Sequence, residues 1–110
     1  MNNLNPYLIL LNEFSMRQAL ETGKQSAILF HMSSFAKNLE ALRVFYNYCG
    51  LPISHKKIKD LANAYLTGRI HSTSLSPLTL GTLIKRGERL TGGQMQYLED
   101  VKRGLRKIIF

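Results

Sequence analysis

Apolar residues recur along this chain at helical spacing and stop at a few punctuation residues. Asn5-Pro6 reads as an N-cap followed by proline at the first helical position. Tyr7, Leu8, Leu11, Phe14 and Leu20 then share a helix face, and Thr22-Gly23 ends it. Ile9 and Leu10 widen that face, which suits burial among several neighbours or in a dimer. Residues 24–32 (KQSAILFHM) form a short apolar run whose periodicity alone fits a strand or a buried helix. Ala27, and Ile28 as the one β-branched residue, favour helix. Ser33-Ser34 then offers a cap for a helix over 35–48, with Phe35, Leu39, Leu42, Phe45 and Tyr46 on one face. Gly50 and Leu51-Pro52 stop it.

The second half repeats the pattern with more charge. Ser54 caps a helix whose inner face is Ile58, Leu61, Ala62, Tyr65 and Leu66, and Gly68 terminates it. Lys56, Lys57, Lys59 and Asn63 are expected outside. Residues 69–76 (RIHSTSLS) are a polar connection, and Ser76-Pro77 starts the next helix. Leu80, Leu83, Ile84 and Leu90 give its inner face, with Lys85, Arg86 and Arg89 outside. Gly81 and Gly87 weaken this helix by roughly 1 kcal/mol each relative to alanine. Thr91-Gly92-Gly93 reads as a break. From about Gln94 a last helix follows Met95, Leu98, Val101, Leu105 and Ile108, with Lys102, Arg103, Arg106 and Lys107 crowding its C-terminal turns. The pattern predicts an all-α fold of five or six short helices in one domain, with no internal repeat.

Length agrees with that count: 110 residues suit one core, with surface left for a partner subunit. Apolar residues make up 45% and charged residues 20%, which is globular rather than disordered. The charge is uneven. Residues 1–50 carry four basic and three acidic residues, whereas residues 51–110 carry eleven and four; the net charge is +8 and the pI about 9.9. Such asymmetry points to a polyanionic partner, nucleic acid before an anionic membrane surface, against the plainer reading of charge that only keeps the chain soluble. The chain thus divides into a near-neutral half (1–50) and a basic half (51–110).

Cys49 is the single cysteine, which excludes an intrachain disulfide and any cysteine-based zinc site and fits a reducing, cytoplasmic setting. No stretch is apolar enough for a transmembrane helix. The apolar run at Tyr7–Leu11 has no basic residue before it and Glu13 soon after, unlike a secretory signal.

Several short motifs of the first half resemble the FlhD family, the small subunit of the flagellar master transcriptional activator. They are Tyr7-Leu8-Ile9-Leu10-Leu11, then Lys24-Gln25-Ser26-Ala27 with Phe30, then Phe35-Ala36 and Leu39-Glu40-Ala41-Leu42. Order and approximate spacing agree over residues 7–42, although the first helix is about one turn longer here and Phe30 needs a one-residue shift. The likeness fades beyond Leu42, and its motifs are packing motifs. The resemblance implies a helical protein that dimerises through its N-terminal helices and joins a larger, zinc-containing FlhC-like subunit to activate promoters. On this chain the homodimer interface would be built on Tyr7, Leu8, Leu11, Phe14, Phe30 and Phe35.

The basic half is the chemical signal that belongs to the chain itself. Phosphate neutralisation needs several Lys or Arg on one surface, which helices present at i, i+3 and i+4. Lys56, Lys57, Lys59, Arg69, Lys85, Arg86 and Arg89 fit, and the hydroxyls of Ser72 and Thr73 in the connection could reach phosphates as well. A helix-turn-helix would pair residues 54–66 with a recognition helix over 77–90. The connection of about ten residues is longer than the usual 3–4.

Other chemistry is weakly supported. His31, His55 and His71 are too dispersed for a metal site, and His31 in an apolar run reads as a core histidine with its hydrogen bonds satisfied. Thr91-Gly92-Gly93 reads as a turn rather than a phosphate cradle. Cys49 lacks the electropositive neighbours of a reactive thiolate, and adjacent Glu99-Asp100 point to different helix faces. No enzyme, cofactor or metal is expected. Only Tyr65 and Tyr97 lie among basic residues, which favours double-stranded DNA over single strands. The expectation is a cytoplasmic DNA-binding regulator subunit, a homodimer with an FlhC-like partner. The alternative is a non-enzymatic helical adaptor or inhibitor that docks on an acidic protein.

Overall fold

The computed structural model describes residues 25–110, and the expected first helix with Tyr7, Leu8, Leu11 and Phe14 lies outside them. Four helices follow in chain order: α1 (Gln25–Cys49), α2 (His55–Leu66), α3 (Pro77–Arg86) and α4 (Gly92–Lys102). The described residues form no strand, so this part of the chain is all-α as its periodicity predicts.

The long α1 is the main correction. A run over 24–32 and a separate helix over 35–48 are one element of 25 residues, roughly 37 Å long at 1.5 Å per residue. Ser33 and Ser34 do not cap; they are mid-helix. Serine costs only a few tenths of a kcal/mol there, and no glycine or proline lies nearby to break the hydrogen-bond ladder. The expected stripe is nonetheless correct. Phe35, Leu39, Leu42, Phe45, Tyr46 and Cys49 run down one side of α1 and are buried.

The other helices pack around that stripe. On α2, Ile58, Leu61, Ala62 and Tyr65 are buried as expected, with Leu66 at the margin of the core. The helix runs antiparallel to α1. Asn38 Nδ2 donates to the Ala62 carbonyl at 3.2 Å near one end, and Arg43 meets His55 near the other. On α3, Leu80 is fully buried. Gly81, read from sequence as a weak point, is where α3 crosses α1: a β-carbon there would collide with the Ala41 carbonyl.

Start signals are placed as the sequence implies. Ser54 Oγ accepts from the Lys57 amide at 3.1 Å, and Ser76 Oγ from the Thr79 amide at 3.3 Å. Stop signals were less legible. The third helix ends at Arg86, not Leu90, because Gly87 takes the left-handed conformation (φ 69°) and the Glu88 amide turns back to the Leu83 carbonyl at 3.0 Å.

Thr91-Gly92-Gly93 is likewise no break. Thr91 caps α4 in a reciprocal capping box with Gln94, and the two glycines are its first residues. The buried face of α4 is Gln94, Tyr97, Leu98 and Val101. Met95 falls on the opposite, exposed face of α4, and Leu105 is exposed because the helix closes at Lys102 with the Leu105 amide bonded to the Asp100 carbonyl. The tail returns over α4: the Ile109 amide donates to the Tyr97 hydroxyl at 2.8 Å, and Ile108 packs at the edge of the core.

Candidate nucleic-acid interface

Burial of the apolar stripes leaves a cation-rich surface. Of the 15 Lys and Arg residues all but Arg17 and Lys24 lie in the described part, as do all acids but Glu13 and Glu21, so this part carries the whole formal excess of +8. Lys56 and Lys57 are exposed on the first turn of α2, while Lys59 is half-buried. In the connection, Arg69, Ser72 and Thr73 are exposed; Arg69 Nε donates to Thr67 Oγ1 at 3.1 Å. Lys85, Arg86 and Arg89 are exposed at and just beyond the end of α3.

These cations divide by what they meet. Lys56 pairs with Asp60 at 3.1 Å, Lys85 with Glu40 of α1, and Arg86 with Glu88 at 3.6 Å. Lys57, Lys59, Arg69 and Arg89 have no carboxylate partner among the described residues. Exposed pairs of this kind are worth no more than about 1 kcal/mol, so a phosphate can displace the carboxylate cheaply. These four cations can engage phosphate without giving up a carboxylate.

The helices do not form the close pair of a helix-turn-helix. Each of α2 and α3 packs against α1, and they touch one another only marginally. The basic residues of α3 sit at its C-terminal end, whereas a recognition helix reads bases from its N-terminal part. The helix is also shorter than expected. What the fold offers is a set of separate cationic positions on elements packed around a central helix.

The expected dimer residues separate too. Phe35 lies wholly inside the chain's own core, while Phe30 is 64% exposed, with Leu29 exposed beside it. Tyr65 and Tyr97 are both buried, so neither ring offers a platform for base stacking. Arg106 stacks over the Tyr97 ring at 4.9 Å, and Lys102 lies over the exposed Tyr48 at 5.1 Å.

No protein-family model, curated protein or solved structure matches this chain. The likeness to FlhD therefore stands on the quoted motifs. Within them Phe35, Leu39, Ala41 and Leu42 are buried core residues of α1.

Buried titratable groups favour their neutral forms. Burial pushes the Tyr46 hydroxyl up to about 12, with smaller contributions from Tyr65, Cys49 and Tyr97. It also raises Tyr65, against the opposing effect of Ser76 and the Leu78 backbone. The Cys49 thiol is raised by burial more than nearby Lys102 lowers it, as befits a packed thiol. The expectation for His31 is corrected: it is only half-buried, and its buried Nδ1 has no hydrogen-bond partner. No group of His, Cys, Asp and Glu among the described residues could hold a metal ion.

Sequence reading missed one meeting of side chains. Arg43 Nη2 and His55 Nδ1 lie 3.1 Å apart across the α1–α2 packing. Asn47, one helical turn beyond Arg43, lines the same open cleft with Ile53 and Ile58. Arg43 belongs to the near-neutral half and His55 reads as a surface residue at a helix start. Their proximity depends on the antiparallel register of α2 on α1, which no local motif encodes.

Proposed function

We propose that this chain is a DNA-binding subunit of a transcription regulator that acts by recruitment and holds duplex DNA through its phosphates. The observation that carries the reading is that Lys57, Lys59, Arg69 and Arg89, all exposed or half-exposed, are among the cations with no carboxylate partner among the described residues, beside pairs that phosphate can replace. The hydroxyls of Ser72 and Thr73 add donors on the connection. The FlhD likeness supplies the rest of the proposal: a homodimer through the N-terminal segment, with exposed Phe30 at its edge, and an FlhC-like partner that completes the promoter-binding complex.

The test is a duplex titration of the chain and of the double variant Lys57→Glu/Arg69→Glu. The reading expects at least a tenfold loss of affinity with the helical circular dichroism unchanged. Unchanged affinity removes this surface from the function.

A second reading is favoured by the exposed apolar side chains Leu29, Phe30, Leu105, Ile109 and Phe110. They suit an adaptor that docks on an acidic protein. In that case the double variant loses its protein partner, and the wild type shows no duplex affinity at any salt.

A further inference from the structure

The Arg43–His55 contact differs from the ion pairs of this surface. Lys56, Lys85, Arg86 and Arg103 each sit beside a carboxylate. Arg43 sits beside an imidazole, and no carboxylate among the described residues pairs with it. A guanidinium can only donate, so in this contact His55 Nδ1 is the acceptor. The contact gives Arg43 one geometric partner and no neutralising charge. Four of its five donors remain for another acceptor.

That acceptor has a place to sit. An open cleft of about 240 Å³ lies between α1 and the start of α2, lined by Arg43, Asn47, Ile53, His55 and Ile58. Its polar lining consists of a guanidinium, a primary amide and an imidazole, all able to donate hydrogen bonds. Ile53 and Ile58 make the rest of the wall apolar, and there the field of Arg43 is less screened than on an open surface. Lys56 and Lys57 follow His55 on the same helical turn and add positive potential.

We propose that this cleft binds a phosphate group, with Arg43 as the charged fork, His55 as the residue that orients it, and Asn47 as a further donor. Phosphate oxygens match the planar guanidinium with two parallel hydrogen bonds. The inference rests on the nucleic-acid reading for the source of the phosphate, a backbone phosphodiester. It adds α1 to a contact surface otherwise made of α2, the connection that follows and the end of α3.

The experiment has two arms, on the full chain and on Arg43→Gln, with His55→Ala as a second variant. One arm follows amide and side-chain NMR signals during titration with inorganic phosphate at constant ionic strength. The other measures duplex affinity across salt. Saturable shifts at Arg43, Asn47 and His55 that vanish in Arg43→Gln are expected. The slope of log affinity against log salt should also fall by about 0.9, one phosphate's worth.

Phosphate shifts spread over all the cations and unchanged by Arg43→Gln would overturn the site. So would a duplex salt slope that the variant leaves unaltered. Phosphate bound in the cleft of a chain that ignores duplex DNA would keep the site and remove the nucleic-acid reading instead.

Discussion

Gly81 of α3 faces the carbonyl oxygen of Ala41 on α1 with no room for a β-carbon between them. The two helices meet backbone to backbone at this point. The crossing sets how deeply Leu80 enters the core and brings Lys85 within reach of Glu40.

Gly81→Ala therefore sets two effects against each other. Helix propensity favours alanine by about 1 kcal/mol. Forcing a methyl group against backbone costs about 1–3 kcal/mol or more, since a carbonyl cannot rotate aside as a side chain can. The clash wins. Gly81→Ala should lower the urea midpoint, whereas Gly92→Ala in the first turn of α4, where a β-carbon meets open space, should not.

Gln94 makes more contacts than a cap requires. Its Oε1 accepts from the Thr91 amide at 2.9 Å, and its Nε2 donates to the Ser74 carbonyl at 2.9 Å. Thr91→Ala removes the cap and should cost about 1 kcal/mol. Gln94→Ala removes both bonds of a buried side chain and should cost about 2 kcal/mol. Paired denaturation curves check the order, and equal losses would mean that the tie to Ser74 contributes nothing.

Alkaline pH should unfold the protein through Tyr46. Its hydroxyl is raised from about 10 to about 12 in the folded chain, so the folded state holds the proton more tightly. The associated stability is complete below pH 10, declines as pH rises from there, and is gone above about 12. It amounts to at most about 3 kcal/mol. Raised Tyr65 acts in the same direction. Melting temperatures measured from pH 8 to 11.5 should fall more steeply for the wild type than for Tyr46→Phe, and parallel curves would contradict this assignment.

Cys49 should resist alkylation in the folded chain. The thiol is buried and its pKa raised, so little thiolate forms and little of it is reachable. Iodoacetamide labelling at pH 8 should be at least a hundredfold slower than in urea. Labelling at the unfolded rate would show that the C-terminal end of α1 opens readily.

Much of this architecture is legible in the chain because it is written locally. The stripe of α1, the inner face of α2 and the caps at Ser54 and Ser76 depend on spacing within a turn or two. The failures concern relations between elements. Ser33-Ser34 has the composition of a cap, yet continuous hydrogen bonding on both sides carries α1 through it. Gly81 reads as a weak helix residue until a neighbouring backbone is placed against it. Leu105 and Ile108 continue the period of α4 past its last turn, and Tyr97 and Gln94 take the buried positions. The candidate site follows the same rule: the cations can be counted in sequence, but which of them meet a carboxylate, and that Arg43 meets His55, depends on tertiary register.

The central claim is that this chain holds duplex DNA through its phosphates, and its most direct test is affinity for a duplex measured from 50 to 300 mM salt. Contact by Lys57, Lys59, Arg69 and Arg89 alone predicts a slope of log affinity against log salt near −3.6, steeper if the paired cations also engage. A well-folded chain whose binding is absent, or flat in salt, both by itself and as a dimer, would contradict the account.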